Sequence, residues 1–110
     1  MDKLLYKIHV GLKDSETGVQ KYTIEKYLSV LKHICSGYKV GFSVQVMNGG
    51  YFHENGSYTE ENTLRLELAD IEEEVVTEIA KDLCAFFNQE SVMVTASTYK
   101  TLFVKDTLKQ

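Results

Sequence analysis

Apolar and polar residues alternate through LLYKIHVGL, residues 4–12: Leu4, Tyr6, Ile8, Val10 and Leu12 fall on one side, Lys7 and His9 on the other. That period of two predicts a half-buried strand. The polar stretch KDSETGVQK then reads as a loop. Thr23 stands where a helix N-cap is expected, because its hydroxyl can accept a hydrogen bond from the open first turn. Ile24, Tyr27, Leu28, Leu31, Ile34 and Cys35 follow at three- and four-residue spacing, one apolar helical stripe, with Gly37 placed for a left-handed C-cap. Alternation returns in residues 38–47, where Tyr38, Val40, Phe42, Val44 and Val46 share a face. It returns again in residues 58–69, with Leu64, Leu66 and Leu68 set against Thr63, Arg65 and Glu67. Asp70 and Glu73 have the spacing of a capping box for a second helix. Its expected stripe is Ile71, Val75, Ile79, Leu83, Phe86 and Phe87, and its acidic start, Glu72 to Glu74, suits the positive end of the helix dipole. Residues 91–98 give a last strand.

The order βαββαβ predicts an α+β, ferredoxin-like sandwich: a four-stranded antiparallel sheet with two helices on one face. Right-handed crossovers place the first and third strands side by side in the centre. Residues 1–104 form the expected single domain and 105–110 a polar tail.

The stretch NGGYFHENGSYTEEN, residues 48–62, predicts a hairpin longer than the sheet that carries it. Asn55-Gly56 suits a two-residue type I′ turn. Such a turn would pair the apolar face of one arm with the polar face of the other, so a one-residue bulge is expected at Gly49-Gly50 to restore the register. The projecting ribbon carries Tyr51, Phe52, His53 and Tyr58. An isolated two-stranded ribbon is marginal in water, so these residues are expected in an interface.

Composition narrows the functional classes. The chain has 110 residues, is 44% hydrophobic and carries a net charge of −4. Without a basic stripe, direct nucleic-acid binding is not expected. No run approaches the roughly 20 apolar residues of a membrane span. Cys35 and Cys84 lie in apolar-periodic segments without metal-ligand spacing, and His9, His33 and His53 fall on separate elements. They read as buried thiols and scattered imidazoles in a cytoplasmic protein, with no metal and no cofactor expected. No nucleophile, phosphate-loop or zinc motif is present, so no catalytic residue is assigned.

The open face of the sheet is expected to carry Lys7, His9, Gln45, Met47, Arg65, Glu67 and Met93. Met47 and Met93 suit an adaptable interface. His9, Arg65, Glu67 and Glu61 are the candidate ligand-binding set, since an arginine can clamp an anionic group and a histidine beside a carboxylate can act as a base.

Gly11, Gly37-Tyr38, Gly50-Tyr51, Glu61 and above all Phe87, Gln89, Glu90, Ser91 and Val92 carry a resemblance. In these the chain resembles a family of small bacterial proteins known only as a domain of unknown function. It departs from that family in lacking prolines near the first helix and in having Tyr51 where a tryptophan is common. The resemblance implies the fold and no activity. The long hairpin also looks like that of CutA-type trimers.

These features predict a non-enzymatic homo-oligomer, a dimer or trimer, that sequesters a small ligand or blocks a protein partner, of the kind phages and mobile elements encode. One alternative is a small dimeric α+β-barrel enzyme using His9 with Arg65 or Glu67. Another is an acidic inhibitor of a nucleic-acid-binding enzyme.

Overall fold

The structure is a computed structural model. It describes residues 3–107, apart from the side chain of Tyr51. Six elements follow the predicted order: β1 (Lys3–Gly11), α1 (Ile24–Tyr38), β2 (Ser43–Phe52), β3 (Tyr58–Ala69), α2 (Glu73–Phe86) and β4 (Met93–Tyr99). The strands form one antiparallel sheet in the order β2-β3-β1-β4, so β1 and β3 are central as handedness requires. The fold is α+β and ferredoxin-like.

The core lies between the sheet and the helices. β1 contributes Tyr6, Ile8 and Val10, and β3 contributes Leu64, Leu66 and Leu68. Tyr27, Leu31, Ile34 and Cys35 of α1 and Val76, Ile79, Ala80 and Leu83 of α2 close over them. Leu12 and Phe87, just outside β1 and α2, are buried with them. Burial pushes the Cys35 thiol up to about 11, which makes it an inert packing group.

Thr23 caps α1 as expected, its hydroxyl accepting from the Lys26 N–H at 3.2 Å. The other helix ends differ from the expectation. α1 runs past Gly37 to Tyr38, and Lys39 takes the left-handed C-cap at φ 57°. The two-residue extension brings the Tyr38 hydroxyl to Asp82 of α2 at 2.7 Å, a contact that raises the phenol to about 12. Asp70 does not cap α2. It sits at φ 63° in the turn after β3, where its carboxylate meets Lys3 at 2.9 Å, and a capping side chain needs an extended backbone. The buried stripe of α2 takes in Val76 and Ala80, whereas Phe86 is 70% exposed.

The hairpin reaches the needed register by another route. Paired residue numbers sum to 110 along its whole length, from Ser43↔Glu67 to Phe52↔Tyr58, so Gly49 and Gly50 pair regularly and no bulge is present. The loop has three residues, Glu54 to Gly56, closed by His53 N–H to Ser57 O at 2.8 Å and Gly56 N–H to His53 O at 2.9 Å. Gly56 is the loop residue at positive φ, +86°. A three-residue loop with glycine in that position already supplies the odd residue that the bulge was expected to supply. Gly50 serves a different purpose: the Tyr58 ring lies across it where a Cβ would stand.

β1 pairs with β3 only as far as Gly11↔Thr63. The pairs Asn48↔Asn62 to Phe52↔Tyr58 therefore form a two-stranded ribbon beyond the β1–β3 ladder, about 17 Å long at 3.4 Å per residue. The radius of gyration is 16.4 Å, against about 13 Å for a compact chain of this size, as a projecting ribbon requires.

Candidate functional site

Two loops and one face of the ribbon, from Glu61 near its root to His53 near its tip, line a polar cleft of about 480 Å³. One wall is the β1–α1 loop with Lys13, Asp14, Ser15 and Gly18, the Asp14 carboxylate being turned into hydrogen bonds to Glu16, Thr17 and Asn88. The second is the ribbon, with His53, Thr59 and Glu61. The third is the α2–β4 loop, with Gln89, Glu90 and Ser91. The volume suits a metabolite-sized ligand.

Glu61 is held in place. Its carboxylate accepts the Lys13 backbone N–H at 3.0 Å and lies over Gly11 so closely that a Cβ there would come within 2.6 Å of it. Glycine is what lets the carboxylate settle onto the strand. Leu12 N–H bonds Asn62 O at 3.0 Å and the Asn62 amide bonds Gln20 at 3.0 Å, so the β1–α1 loop is laced to the ribbon base. His53 Nε2 is 2.7 Å from the Thr59 hydroxyl.

The α2–β4 loop is tied in from the other side. Asn88 takes a left-handed φ of 49° just beyond α2; its carbonyl accepts the Ser15 N–H at 2.9 Å and its amide donates to Asp14 at 2.8 Å. Gln89 donates to the Lys13 carbonyl at 2.6 Å. Asp14 is 4% exposed and also accepts the N–H groups of Glu16 and Thr17 and faces Lys21 at 3.1 Å. The Asn88 hydrogen bond leads these contacts in holding the Asp14 carboxyl well below the usual range, against the opposing effect of desolvation. Stability from a carboxylate lowered in this way is complete above about pH 4 and is lost as the pH falls toward the folded value.

The sequence-predicted residues separate. His9 stands opposite Arg65 in the register, and Lys7 opposite Glu67. Arg65 donates to Gln45 and lies 3.7 Å from Glu67, a polar ladder on the open face. Glu61 lies at the end of the same strand and instead lines the cleft. Of the expected interface residues, Phe52 is 74% exposed, and Met47, His53, Tyr58 and Met93 are exposed as well. The Tyr51 side chain lies outside the described residues. Asp14 and Asn88 were missed. The Asp-Ser-Glu-Thr-Gly run has the makings of an aspartate-closed turn, but its partner is 74 residues away.

A second groove, about 440 Å³ between α2 and β4, is lined mainly by Tyr6, Val76, Ala80, Val92 and Val94. Its surface is mostly apolar, with Glu73, Thr77, Lys81 and Cys84 also on its lining. The cleft carries Glu61 and Glu90 on two walls and Lys13 on the third, so charges of both signs line it. No group of three metal-binding side chains occurs among the described residues. Among them, no helix is long and apolar enough to cross a membrane.

Fold and cleft together describe a small α+β protein with a polar cleft along one face of a long β-ribbon. The model of the S-adenosylmethionine lyase family matches residues 15–109, and the chain belongs to that family. Among solved structures, a phage SAM lyase in complex with S-methyl-5′-thioadenosine shares 24% identity at a TM-score of 0.67, over 87% of this chain and 81% of that one. The apo state of a phage SAM lyase shares 23% identity at 0.64, over 88% and 81%. These likenesses show the common fold. No curated protein matches the chain.

The family match corrects two expectations. The resemblance to a family of unknown function gives way to a named family, and the non-enzymatic binding protein gives way to a family of enzymes. Phe87 to Val92, which carried that resemblance, lie inside the matched region. The expectation of a small-molecule ligand agrees with the thioadenosine held by the phage relative.

Proposed function

We propose that the protein is a lyase that cleaves S-adenosylmethionine in the cleft at the ribbon base and releases S-methyl-5′-thioadenosine. The observation that carries this reading is the family match, which spans Ser15, Glu61 and Glu90 of the cleft. Forming that product breaks the bond between the sulfonium and the γ-carbon of the methionine chain. The bonding electrons leave with sulfur, which becomes a neutral thioether. The γ-carbon then needs an electron pair, and a lyase takes it from within the substrate. The substrate's own carboxylate can close on that carbon to give a five-membered aminolactone, with no proton to move.

In this displacement an anion and a cation of one molecule neutralise each other, so the protein's task is to fold the substrate and exclude water. A carboxylate fixed beside the sulfonium would stabilise the ground state more than the transition state, where the positive charge is fading. Glu61 and Glu90 are better placed on the α-ammonium and the ribose hydroxyls, which keep their character throughout. His53, on the cleft wall, supports a second route: removal of a neighbouring C–H proton to leave an unsaturated amino acid.

Incubation with S-adenosylmethionine followed by mass spectrometry decides between them. The expected result is S-methyl-5′-thioadenosine and aminolactone in equal amounts. An unsaturated amino acid would assign the elimination, and its loss in His53→Ala would then identify the base. No cleavage would contradict the proposal.

The exposed ribbon supports self-association, a dimer or trimer, through Tyr51, Phe52, His53 and Tyr58, with Met47 and Met93 on the open face. Phe52→Ser is expected to shift native mass spectra toward monomer; an unchanged assembly would exclude Phe52 from the interface. The substrate is an intracellular metabolite, so the cytoplasm is the proposed compartment, which cell fractionation checks.

A further inference from the structure

Two walls of the cleft come from loops far apart in sequence, and one buried carboxylate joins them. Asp14 Oδ1 accepts the N–H groups of Glu16 and Thr17, at 2.9 and 3.0 Å, and so shapes the β1–α1 loop. Its Oδ2 accepts the Asn88 amide at 2.8 Å and so grips the α2–β4 loop. Next to these bonds, Ser15 N–H meets the Asn88 carbonyl and the Gln89 amide meets the Lys13 carbonyl. We propose that Asp14 is a positioning residue: clasped to Asn88, its carboxylate fixes Lys13 and Ser15 on one side and Gln89, Glu90 and Ser91 on the other at the spacing the substrate needs. The proposal rests on the reading of this cleft as the S-adenosylmethionine site.

The chemistry of the clasp is directional. A carboxylate accepts at both oxygens, whereas an amide at position 14 can accept at one and donates at the other. Asp14→Asn can keep the turn over Glu16 and Thr17, but at the other end it replaces a charge-assisted bond by a neutral amide pair that Asn88 must flip its side chain to make, which weakens the clasp. Exchanging the pair, Asp14→Asn with Asn88→Asp, restores an amide donor facing a carboxylate. Lys21 meets the same carboxylate from a side chain that is 44% exposed, so Lys21→Met should matter little.

The test combines kinetics with hydrogen exchange on the four purified chains. Asp14→Asn is expected to lower kcat/KM on the order of 10- to 100-fold, the scale of a misplaced site wall. It should also speed exchange at residues 88–91, far from position 14 in sequence, without affecting the β1–β3 core. The exchanged pair should recover most of the activity and the protection, and Lys21→Met should stay near wild type. A merely structural Asp14 would lower the melting temperature and leave kcat/KM unchanged well below it; that result, or unaltered exchange at 88–91, overturns the proposal. If the wild-type chain itself does not cleave S-adenosylmethionine, the reading of the cleft fails, and the exchange data still decide whether Asp14 holds the two loops together.

Discussion

Glu61→Gln lowers kcat/KM for S-adenosylmethionine about 100-fold and leaves the melting temperature within a few degrees of wild type. This result is expected because the substitution removes charge and little else. The glutamine carbonyl can still accept the Lys13 N–H that Glu61 accepts at 3.0 Å, and it can occupy the same space over Gly11. What is lost is a charge-assisted contact to a substrate cation inside a cleft. Removing one partner of such a pair costs about 3 kcal/mol, within a usual span of roughly 2–5, and every 1.4 kcal/mol is a factor of about ten. Steady-state release of S-methyl-5′-thioadenosine alongside thermal unfolding checks it. Activity within about threefold of wild type would remove Glu61 from the site.

Gly11→Ala is expected to cost nearly as much activity without replacing any residue that lines the cleft. A Cβ at this position would stand 2.6 Å from the Glu61 carboxyl carbon and one oxygen, and 2.7 Å from the other oxygen. The obstacle is the far end of a flexible side chain, so Glu61 can swing away at small cost in stability. Its carboxylate then leaves its seat on the strand and its bond to Lys13. A shift on the order of 1 Å in a positioning group costs up to about 100-fold. The expected pattern is a loss of roughly 30- to 100-fold in kcat/KM, with circular dichroism and unfolding close to wild type. Because both variants act through Glu61, Gly11→Ala combined with Glu61→Gln should be far less than additive. Independent, multiplying losses would mean that Gly11 acts elsewhere.

Much of the fold is legible where one face of an element is buried. β3 spans residues 58–69 as the alternation predicts, because Leu64, Leu66 and Leu68 all face the helices and a slip would expose them together. The central position of β1 and β3 follows from antiparallel pairing together with crossover handedness, since β1 and β2 run the same way and take β3 between them. The departures fall at element ends, where tertiary contacts decide. Tyr38 keeps α1 wound past Gly37 because Asp82 is there to receive its hydroxyl. Asp70 is drawn from a cap into a turn that serves β3 and Lys3. The hairpin register was deduced correctly from its apolar faces, but the residue that corrects it lies in the loop and not at the glycine pair.

The site was far less legible. Glu61 is visible as an acidic residue at the start of an aliphatic strand, yet its alternation assigns it to the same face as Arg65 and Glu67. Only the meeting of two loops with the ribbon separates it from them. The stretch from Gln89 to Ser91 stands out in sequence without showing which wall it builds. Asp14 reads as an ordinary loop aspartate until Asn88 arrives from the far end of the chain. Nor does any nucleophile or metal motif announce the chemistry. A displacement driven by the substrate's own carboxylate asks the protein for shape and fixed charge, which leave no short motif behind.

The measurement that tests the central claim most directly is a crystal structure of the protein with S-methyl-5′-thioadenosine bound. The account predicts the nucleoside at the ribbon base, with Glu61 or Glu90 within hydrogen-bonding distance of it and Ser15 and Ser91 on the facing walls. A nucleoside seated in the apolar groove between α2 and β4, or over Arg65 on the open face, would contradict it.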